Sequence, residues 1–456
     1  MDARNEKKVI LKEIPEPERD CSIVPHPLSD QTMEMRKQKV LQQMRIRNLD
    51  TLVVYGDLEH GGNFEYLTGF LPRFEEALLV LHADGQAYLV LGNENLNKCG
   101  KSRIAAEPVL CSYFSLPDQP MLSGGNLEEI LAETKLQGRI GVAGWKKLPE
   151  GMYDLPAYLM TALEHLCGKE NLSNAIDLFI GADGVRVTNC ADEIAHYEFY
   201  ASLAGDAMLD AMDALRPGIS EMEVGAKLNR LGQDHNIVTI TAFGERFIRA
   251  NMYPSDHRLS IGEPISLTTG FRCGCSSRAA AAVSCREELP EGQRDYFEKL
   301  CVPYFRAIAV WLEQIHAGMK GGELYELMEQ VLPKEEYHWK LNPGHLTAEE
   351  EWLCSPVFES SRELLKSGMI LQTDVIPSLP GYPGVSAEST CVLADQNLRE
   401  EIRRAFPDLY ARMMHRRRYL KEVQGISLNE DVLPMCSSLA YMRPYALSHQ
   451  AAVIDL

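Results

Sequence analysis

The sequence predicts an α/β (α+β) fold in which two domains follow a short arm. Three observations lead to this prediction. The 456-residue chain is long enough for more than one hydrophobic core. Short β-rich runs alternate with helical patterns in its first part, as in α/β domains. A long amphipathic segment then opens a part that mixes helices with β-rich sections. We expect an arm at 1–30, a first domain at 31–180 and a second domain at 181–456.

Prolines characterise the arm, and turn residues separate the predicted elements of the first domain. Residues 1–30 are polar and contain several prolines, which indicates an extended segment. Turns such as Ala83-Asp84-Gly85 separate the elements that follow. The patterns predict helices over 32–47, 126–134 and 155–166, and strands over 51–55, 77–82, 87–91 and 139–143.

The second domain begins with a predicted helix over 191–215, which Arg216-Pro217-Gly218 ends. Ser220 and Glu223 then have the spacing of a capping box at the start of another helix. The rest of the second domain is predicted to be β-rich over 239–283, helical over 292–332, β-rich over 341–393 and helical from 398. We expect the run His415-Arg416-Arg417-Arg418 to lie on a solvated helix face.

Composition and charge limit the partners of this chain. A formal net charge of -19 repels phosphate backbones and argues against a nucleic-acid partner. The sequence lacks the continuous apolar stretch of about 18 residues that a membrane helix needs, so we expect no membrane insertion. Val9-Ile10-Leu11 is too short for a signal-peptide core, which favours a cytoplasmic protein whose twelve cysteines are reduced.

Four motifs in fixed order resemble one known family. They are Tyr66-Leu67-Thr68-Gly69-Phe70, Pro217-Gly218-Ile219-Ser220-Glu221, Pro343-Gly344-His345, and Gly368-Met369-Ile370 with Asp374 and Gly384-Val385-Ser386-Ala387-Glu388. The set resembles the creatinase and Xaa-Pro aminopeptidase (pita-bread, M24 peptidase-like) family. The resemblance implies a creatinase-type N-terminal α/β domain followed by a C-terminal pita-bread domain, in a homodimer.

The resemblance also implies a metal site, which this sequence retains only in part. Active family members hold two divalent metals with Asp, His and Glu ligands, which suit manganese, cobalt or zinc. His345, Asp374 and Glu388 match three of these ligands. Thr268 stands where the first Asp is expected, and no acid lies between Glu263 and Glu287 to supply the second. The metal site is therefore expected to be degenerate.

Other family positions also differ. A second family His is expected shortly after His345, where this chain reads Ala348-Glu349-Glu350-Glu351-Trp352. Asn251 stands where an upstream His is expected, with His257 as the alternative, and an amide can hydrogen-bond a substrate carbonyl. Because paired carboxylates repel each other, we expect Arg278 to replace the metal charge and to bind Asp374 or Glu388.

Two residues of the first domain join the substrate-binding candidates. In creatinase, a Phe and an Arg from the N-terminal domain reach the pocket of the partner subunit. Arg73 and Phe74 lie shortly after the Thr-Gly-Phe motif and are expected to take this role.

Three functions remain open from the sequence. The first is a metal-independent hydrolase of a C–N bond in a small amino-acid-like or guanidino compound, without cofactor. In it, His345 is the acid/base, Asp374 and Glu388 orient the substrate, and Arg278 binds a carboxylate. The second is an Xaa-Pro aminopeptidase or dipeptidase that keeps a single Mn or Zn ion on His345, Asp374 and Glu388. The third is a non-catalytic relative that binds a peptide or protein.

Overall fold

The computed structural model describes residues 8–20, 23–119, 125–244 and 253–455. It divides into two compact units, an N-terminal unit of Leu28–Val187 and a C-terminal unit of Thr188–Leu456 with Met1–Pro27. Each unit combines helices with β-sheet, which confirms the predicted fold class. The described part of the arm belongs to the C-terminal unit rather than standing alone.

The secondary structure follows the predicted order. The strands are β1 Lys8–Glu13, β2 Thr51–Gly56, β3 Ala77–His82, β4 Ala87–Leu91, β5 Glu107–Leu110, β6 Ile140–Ala143, β7 Leu172–Asn174, β8 Ile240–Phe243, β9 Pro264–Phe271, β10 Gly274–Ala281, β11 His345–Leu346, β12 Ile370–Gln372, β13 Ser386–Glu388, β14 Thr390–Leu393, β15 Val432–Pro434 and β16 Gln450–Asp455. The helices are α1 Asp30–Ile46, α2 Gly62–Thr68, α3 Leu127–Ala132, α4 Ala157–Cys167, α5 Ala191–Ala214, α6 Glu221–Leu228, α7 Val302–Gln314, α8 Gly321–Val331, α9 Lys334–Tyr337, α10 Gln396–Ala405 and α11 Pro407–Glu422. Among the described residues, no helix is long and apolar enough to cross a bilayer.

The N-terminal unit is a mixed sheet with helices packed against it. Its strands lie in the order β5-β4-β3-β2-β6-β7, with β2 antiparallel to β3 and parallel to β6. Every residue of β2, β3 and β4 is buried, as expected for strands covered on both faces. Helix α3 starts with a capping box made by Asn126 and Glu129, and Leu131 and Leu163 bring α3 and α4 into the core.

The C-terminal unit holds two four-stranded sheets joined by one long helix. One sheet has the order β13-β10-β9-β8 and the other has the order β11-β12-β14-β15. Ile194 of α5 packs in the core beside Ile370 of the second sheet, while Met208 of α5 packs beside Ile265 of the first. The chain passes from the first sheet to the second at Ser389, between β13 and β14. This arrangement brings the ends of several strands together.

The two ends of the chain pair with each other in the C-terminal unit. Strand β1 runs antiparallel to β16, with Lys8 opposite Asp455 and Glu13 opposite Gln450. The described part of the arm starts with β1 and continues without a helix as far as residue 29, as its prolines indicated. The pairing itself joins residues from opposite ends of the sequence, and local patterns do not predict such contacts.

The basic run in α11 corrects one expectation. The side chains of Leu409, Met413, Arg416 and Leu420 form the buried stripe of this helix, at the spacing of a core-facing surface. Arg416 is therefore buried, and its Nη2 lies 2.7 Å from Glu198 Oε1. Burial alone would lower the pKa of Arg416, but the nearby carboxylates outweigh burial and raise it. The prediction of a solvated face was wrong for this residue.

Candidate functional site

The candidate site lies where strand ends of the two sheets in the C-terminal unit meet. His345 begins β11, Asp374 follows β12, and Glu388 ends β13. All three side chains are buried, and each offers a ligand atom within 4.8 Å of the others. The structure therefore brings together the three residues that the sequence placed in the site. Gly344 permits this approach, because it has a φ of 110° and a Cβ there would lie 3.1 Å from the ring of Trp311.

Two neighbours hold the imidazole of His345. Trp352 stacks on it, with ring centroids 4.1 Å apart and an angle of 18° between the planes. Nδ1 lies 3.2 Å from the carbonyl oxygen of Leu346, which indicates that Nδ1 carries the proton. Nε2 then faces the carboxylates, 3.1 Å from Glu351 Oε1 and 3.9 Å from Asp374 Oδ2. This orientation makes Nε2 the ligand atom of the site.

The carboxylates share a buried region with little positive charge. Burial, with a smaller contribution from Glu351, raises the pKa of Asp374 to about 6, although His345 acts in the opposite direction. Burial, followed by the charges of Asp374 and Glu351, raises the pKa of Glu388 well above its usual range. Burial alone would lower the pKa of His345, but Glu351 and Asp374 outweigh burial and raise it. A cation at this point would relieve the repulsion between the acids.

The unpaired atoms of the site fit such a cation. His345 Nε2 and Asp374 Oδ1 are buried and make no hydrogen bond, although Glu351 lies near Nε2 at ion-pair distance. Buried polar atoms without a partner are rare in native proteins and call for an explanation. One imidazole and several carboxylates are donors that bind zinc or manganese. The donor set therefore fits a divalent cation held by His345, Asp374 and Glu388.

The positions expected for the missing aspartates carry hydroxyl groups. Thr268 on β9 lies directly opposite Ser277 on β10, and their side-chain oxygens are 3.0 Å apart. Ser277 in turn lies opposite Glu388 on β13. Neutral hydroxyl groups therefore occupy the part of the sheet that faces Glu388, so any further charged ligand has to come from another position.

Arg278 does not act as the sequence led us to expect. It lies opposite Ala387, one residue out of step with Glu388, and alternate residues of a strand point to opposite faces. Its guanidinium is buried and donates all its hydrogen bonds away from the carboxylates, from Nε to the carbonyl of Tyr441, from Nη1 to the carbonyls of Ser277 and Glu388, and from Nη2 to the carbonyl of Ser438 and the hydroxyl of Ser389. The predicted bond to Asp374 or Glu388 was wrong. The charge of Arg278 lowers the pKa of Glu388 less than burial and the acids raise it.

The remaining predicted residues lie elsewhere or cannot be placed. Asn251 lies outside the described residues. His257, its alternative, binds Glu263 at 3.0 Å on the surface and belongs to no candidate metal group of the described residues. Arg73 and Phe74 are in the N-terminal unit, where Phe74 has a φ of 69° and 76% of its surface is exposed. Their role toward a partner subunit stays a prediction.

Sequence reasoning missed three residues of the site. Glu351 and Trp352 contact His345, and Cys275 shares a cluster of ligand atoms with Glu351 and Glu388. The acidic run that replaces the second family His was a usable signal, because a carboxylate there can approach the same imidazole. Cys275 gave no such signal, since its face depends on the register of β10.

Comparison with known proteins supports this description. The model of metallopeptidase family M24 matches residues 196–395. The structure is similar to an Xaa-Pro dipeptidase from Bacillus anthracis, with a TM-score of 0.61 and 16% identity over 80% of this chain and 96% of that one. It is similar to a prolidase from Pyrococcus furiosus, with a TM-score of 0.58 and 19% identity over 78% and 96%. It is also similar to an X-Pro aminopeptidase from Thermotoga maritima, with a TM-score of 0.61 and 15% identity over 79% and 95%. No curated protein sequence matches the chain significantly.

At these identities the structural likeness shows the shared fold, and the family model covers the segment that holds His345, Asp374 and Glu388. Both findings agree with the motifs that indicated a pita-bread domain. Residues 196–395 of this chain therefore match metallopeptidase family M24 in sequence, and the chain shares the fold of the peptidases named above.

Proposed function

We propose that this protein is a hydrolase of the M24 type that cleaves a C–N bond in a short peptide or another small amino-acid-like substrate, with a divalent cation on His345, Asp374 and Glu388. The observation that carries this proposal is the buried group of convergent donors, in which Asp374 Oδ1 has no hydrogen-bond partner and His345 Nε2 faces only carboxylates. The fold shared with an Xaa-Pro dipeptidase and a prolidase supports it.

A metal-independent mechanism is less well supported. It requires a protein cation beside the carboxylates, and Arg278 instead binds backbone carbonyls on the other face of the sheet. Without that charge, Asp374, Glu388 and Glu351 have only His345 as a close cationic neighbour in the described site. Burying several acids against one imidazole is unfavourable, which favours a bound divalent cation.

The side chains of the site have distinct parts in this proposal. When bound, a divalent cation polarises a carbonyl group and lowers the pKa of a water molecule. His345, Asp374 and Glu388 would hold that cation, and the two carboxylates would offset its charge. Trp352 covers one face of His345 and keeps its ring in place.

The test is hydrolysis by the full chain after removal of metals and addition of Mn²⁺, Zn²⁺ or Co²⁺. The substrates are Xaa-Pro dipeptides, other dipeptides and guanidino acids, and the readout is the released amine. We expect turnover that depends on the cation and falls by at least about 10-fold in Asp374→Asn, which loses a charged ligand. Glu430→Gln is the control, because Glu430 is 82% exposed and should keep full activity. Tight cation binding without turnover would instead favour a non-catalytic peptide-binding protein.

We also propose that the protein forms a homodimer and is located in the cytoplasm. Sedimentation of the purified chain and imaging of a tagged copy would test them separately from catalysis.

A further inference from the structure

A cavity lies between the N-terminal arm and helix α11 in the C-terminal unit, and none of the proposed cation ligands lines it. Its volume is about 330 Å³, which is in the range of pockets that bind small molecules. Arg19 and Asp20 of the arm, Arg412 and Arg416 of α11, and Ser437 after β15 are among its lining residues. We propose that this cavity binds a small aliphatic carboxylate.

The cavity has α11 on one side and the arm on the other. The lining residues of α11 are three or four positions apart, so they share one face of the helix. The arm contacts this face at two points. The hydroxyl of Tyr419 donates to the carbonyl of Pro15 at 2.6 Å, and Nη2 of Arg416 donates to Asp20 Oδ2 at 2.8 Å. A ligand in the cavity would therefore contact both the helix and the arm.

Two buried side chains of the lining have polar atoms without a partner. Arg416 is 3% exposed, and its terminal nitrogens donate to a carbonyl, a hydroxyl and two carboxylates, whereas Nε makes no hydrogen bond in the protein. Ser437 is 8% exposed, and its hydroxyl also has no partner. Such atoms are rare in native proteins and call for an explanation. Both can donate a hydrogen bond, so a ligand that carries acceptor oxygens would satisfy them.

Arg412 adds a third donor to the same cavity. Its Nε and Nη2 bind the two carboxylate oxygens of Glu198 at 3.3 and 2.9 Å. Its Nη1 makes no hydrogen bond to the described residues. One carboxylate offers about four lone pairs, which is enough for the three donors of Arg412, Arg416 and Ser437.

The charges around the cavity favour a ligand with a single negative charge. Three arginines line it together with two carboxylates, those of Glu18 and Asp20. Acids outside the lining also bind these arginines, because Glu198 contacts Arg412 and Arg416 and two aspartates contact the third. Two guanidinium groups can still hold one carboxylate by charge-assisted hydrogen bonds. A doubly charged phosphate would be repelled more strongly by the acids, so a carboxylate is the better match.

The experiment is a calorimetric titration of the full chain with sodium butyrate, with thermal unfolding beside it. Butyrate is the probe because Pro17 and Ala411 also line the cavity and offer apolar contact to its alkyl chain. We expect saturable binding of one butyrate per chain and a melting temperature that rises with its concentration. Sodium chloride at the same ionic strength should produce neither effect, and sodium phosphate should bind more weakly than butyrate.

Two substitutions locate the binding. Ser437→Ala removes a hydroxyl that has no partner, so the fold should persist while the affinity for butyrate falls by at least about 10-fold. Arg412→Gln should lower the affinity by a similar factor, because it removes a charged donor. Arg403→Gln is the matched control, since the side chain of Arg403 is 61% exposed on α10 and does not line the cavity.

The outcomes do not depend on turnover or on a bound cation, so a failure here leaves the proposed function intact. Equal effects of butyrate and chloride would overturn the inference, because they would indicate a general effect of salt. Undiminished binding in both Ser437→Ala and Arg412→Gln would overturn it as well, since the carboxylate would then bind elsewhere. Tighter binding of phosphate than of butyrate would contradict the assignment of a singly charged ligand.

Discussion

Replacing Arg278 by methionine tests whether this side chain stabilises the fold rather than neutralising the carboxylates of the site. The guanidinium has five N–H groups, and all five donate, at 2.5 to 3.1 Å, to acceptors on three segments of the C-terminal unit. Met fills a similar volume but leaves several buried carbonyls without this donor. At about 1 kcal/mol net for each hydrogen bond, the loss is about 5 kcal/mol. Recovery of the burial cost of the charge reduces it, so we expect about 3–5 kcal/mol.

The assay is urea unfolding followed by fluorescence and circular dichroism, with thermal unfolding beside it. Arg278→Lys should lose nearly as much stability, because an ammonium group cannot replace the planar fork. Arg286→Met is the control, since the side chain of Arg286 is 48% exposed and its pair with Glu298 should contribute at most about 1 kcal/mol. A free energy of unfolding for Arg278→Met within about 1 kcal/mol of the unsubstituted protein would refute the reasoning.

Three further predictions concern the site and the core. In the metal-free folded protein, the pKa of Asp374 is raised to about 6 from the usual 3.8. The free energy of unfolding should therefore fall by up to about 3 kcal/mol as the pH rises from about 4 to 7. Asp374→Asn should flatten this pH dependence in unfolding curves measured with EDTA. Zn²⁺ should change the tryptophan fluorescence, and Trp352→Phe should remove most of that change while binding persists, because Trp352 stacks on the site histidine. Arg416→Met should lower the free energy of unfolding by about 2–3 kcal/mol, because the buried Glu198 would keep only Arg412 as its ion-pair partner and Asp20 would lose its ion pair with Arg416. The exposed Arg403→Met should change the stability little, and equal stabilities of the two variants would contradict this.

The elements of the fold could be predicted from sequence because their signals are local. The apolar spacing over 191–215 and the capping box at Ser220 and Glu223 each involve residues that are neighbours in the chain, and the structure confirms both. The pairing of β1 with β16 could not be predicted, because its register joins the two ends of the chain. The burial of Arg416 was missed because the charge of the run hid the helical stripe to which it belongs.

The site shows the same division between local and distant signals. Ordered motifs predicted that His345, Asp374 and Glu388 would meet, and the structure brings them together. The predicted role of Arg278 depended on the register of β10, because a shift of one residue moves a side chain to the other face of the sheet. Ser277 rather than Arg278 lies opposite Glu388, so the prediction was wrong by one residue. Cys275 depends on the same register, so its approach to Glu388 became visible only with the strands in place.

Metal content measures the central claim most directly. The full chain, purified without chelator, would be analysed by elemental mass spectrometry beside Glu388→Gln and the exposed control Glu430→Gln. Glu388 is one of the three proposed ligands, so its substitution should remove bound metal while the control keeps it. We predict at least one Zn²⁺, Co²⁺ or Mn²⁺ per chain and a melting temperature that falls in EDTA. Metal-free protein whose melting temperature neither EDTA nor added cations change would contradict the account.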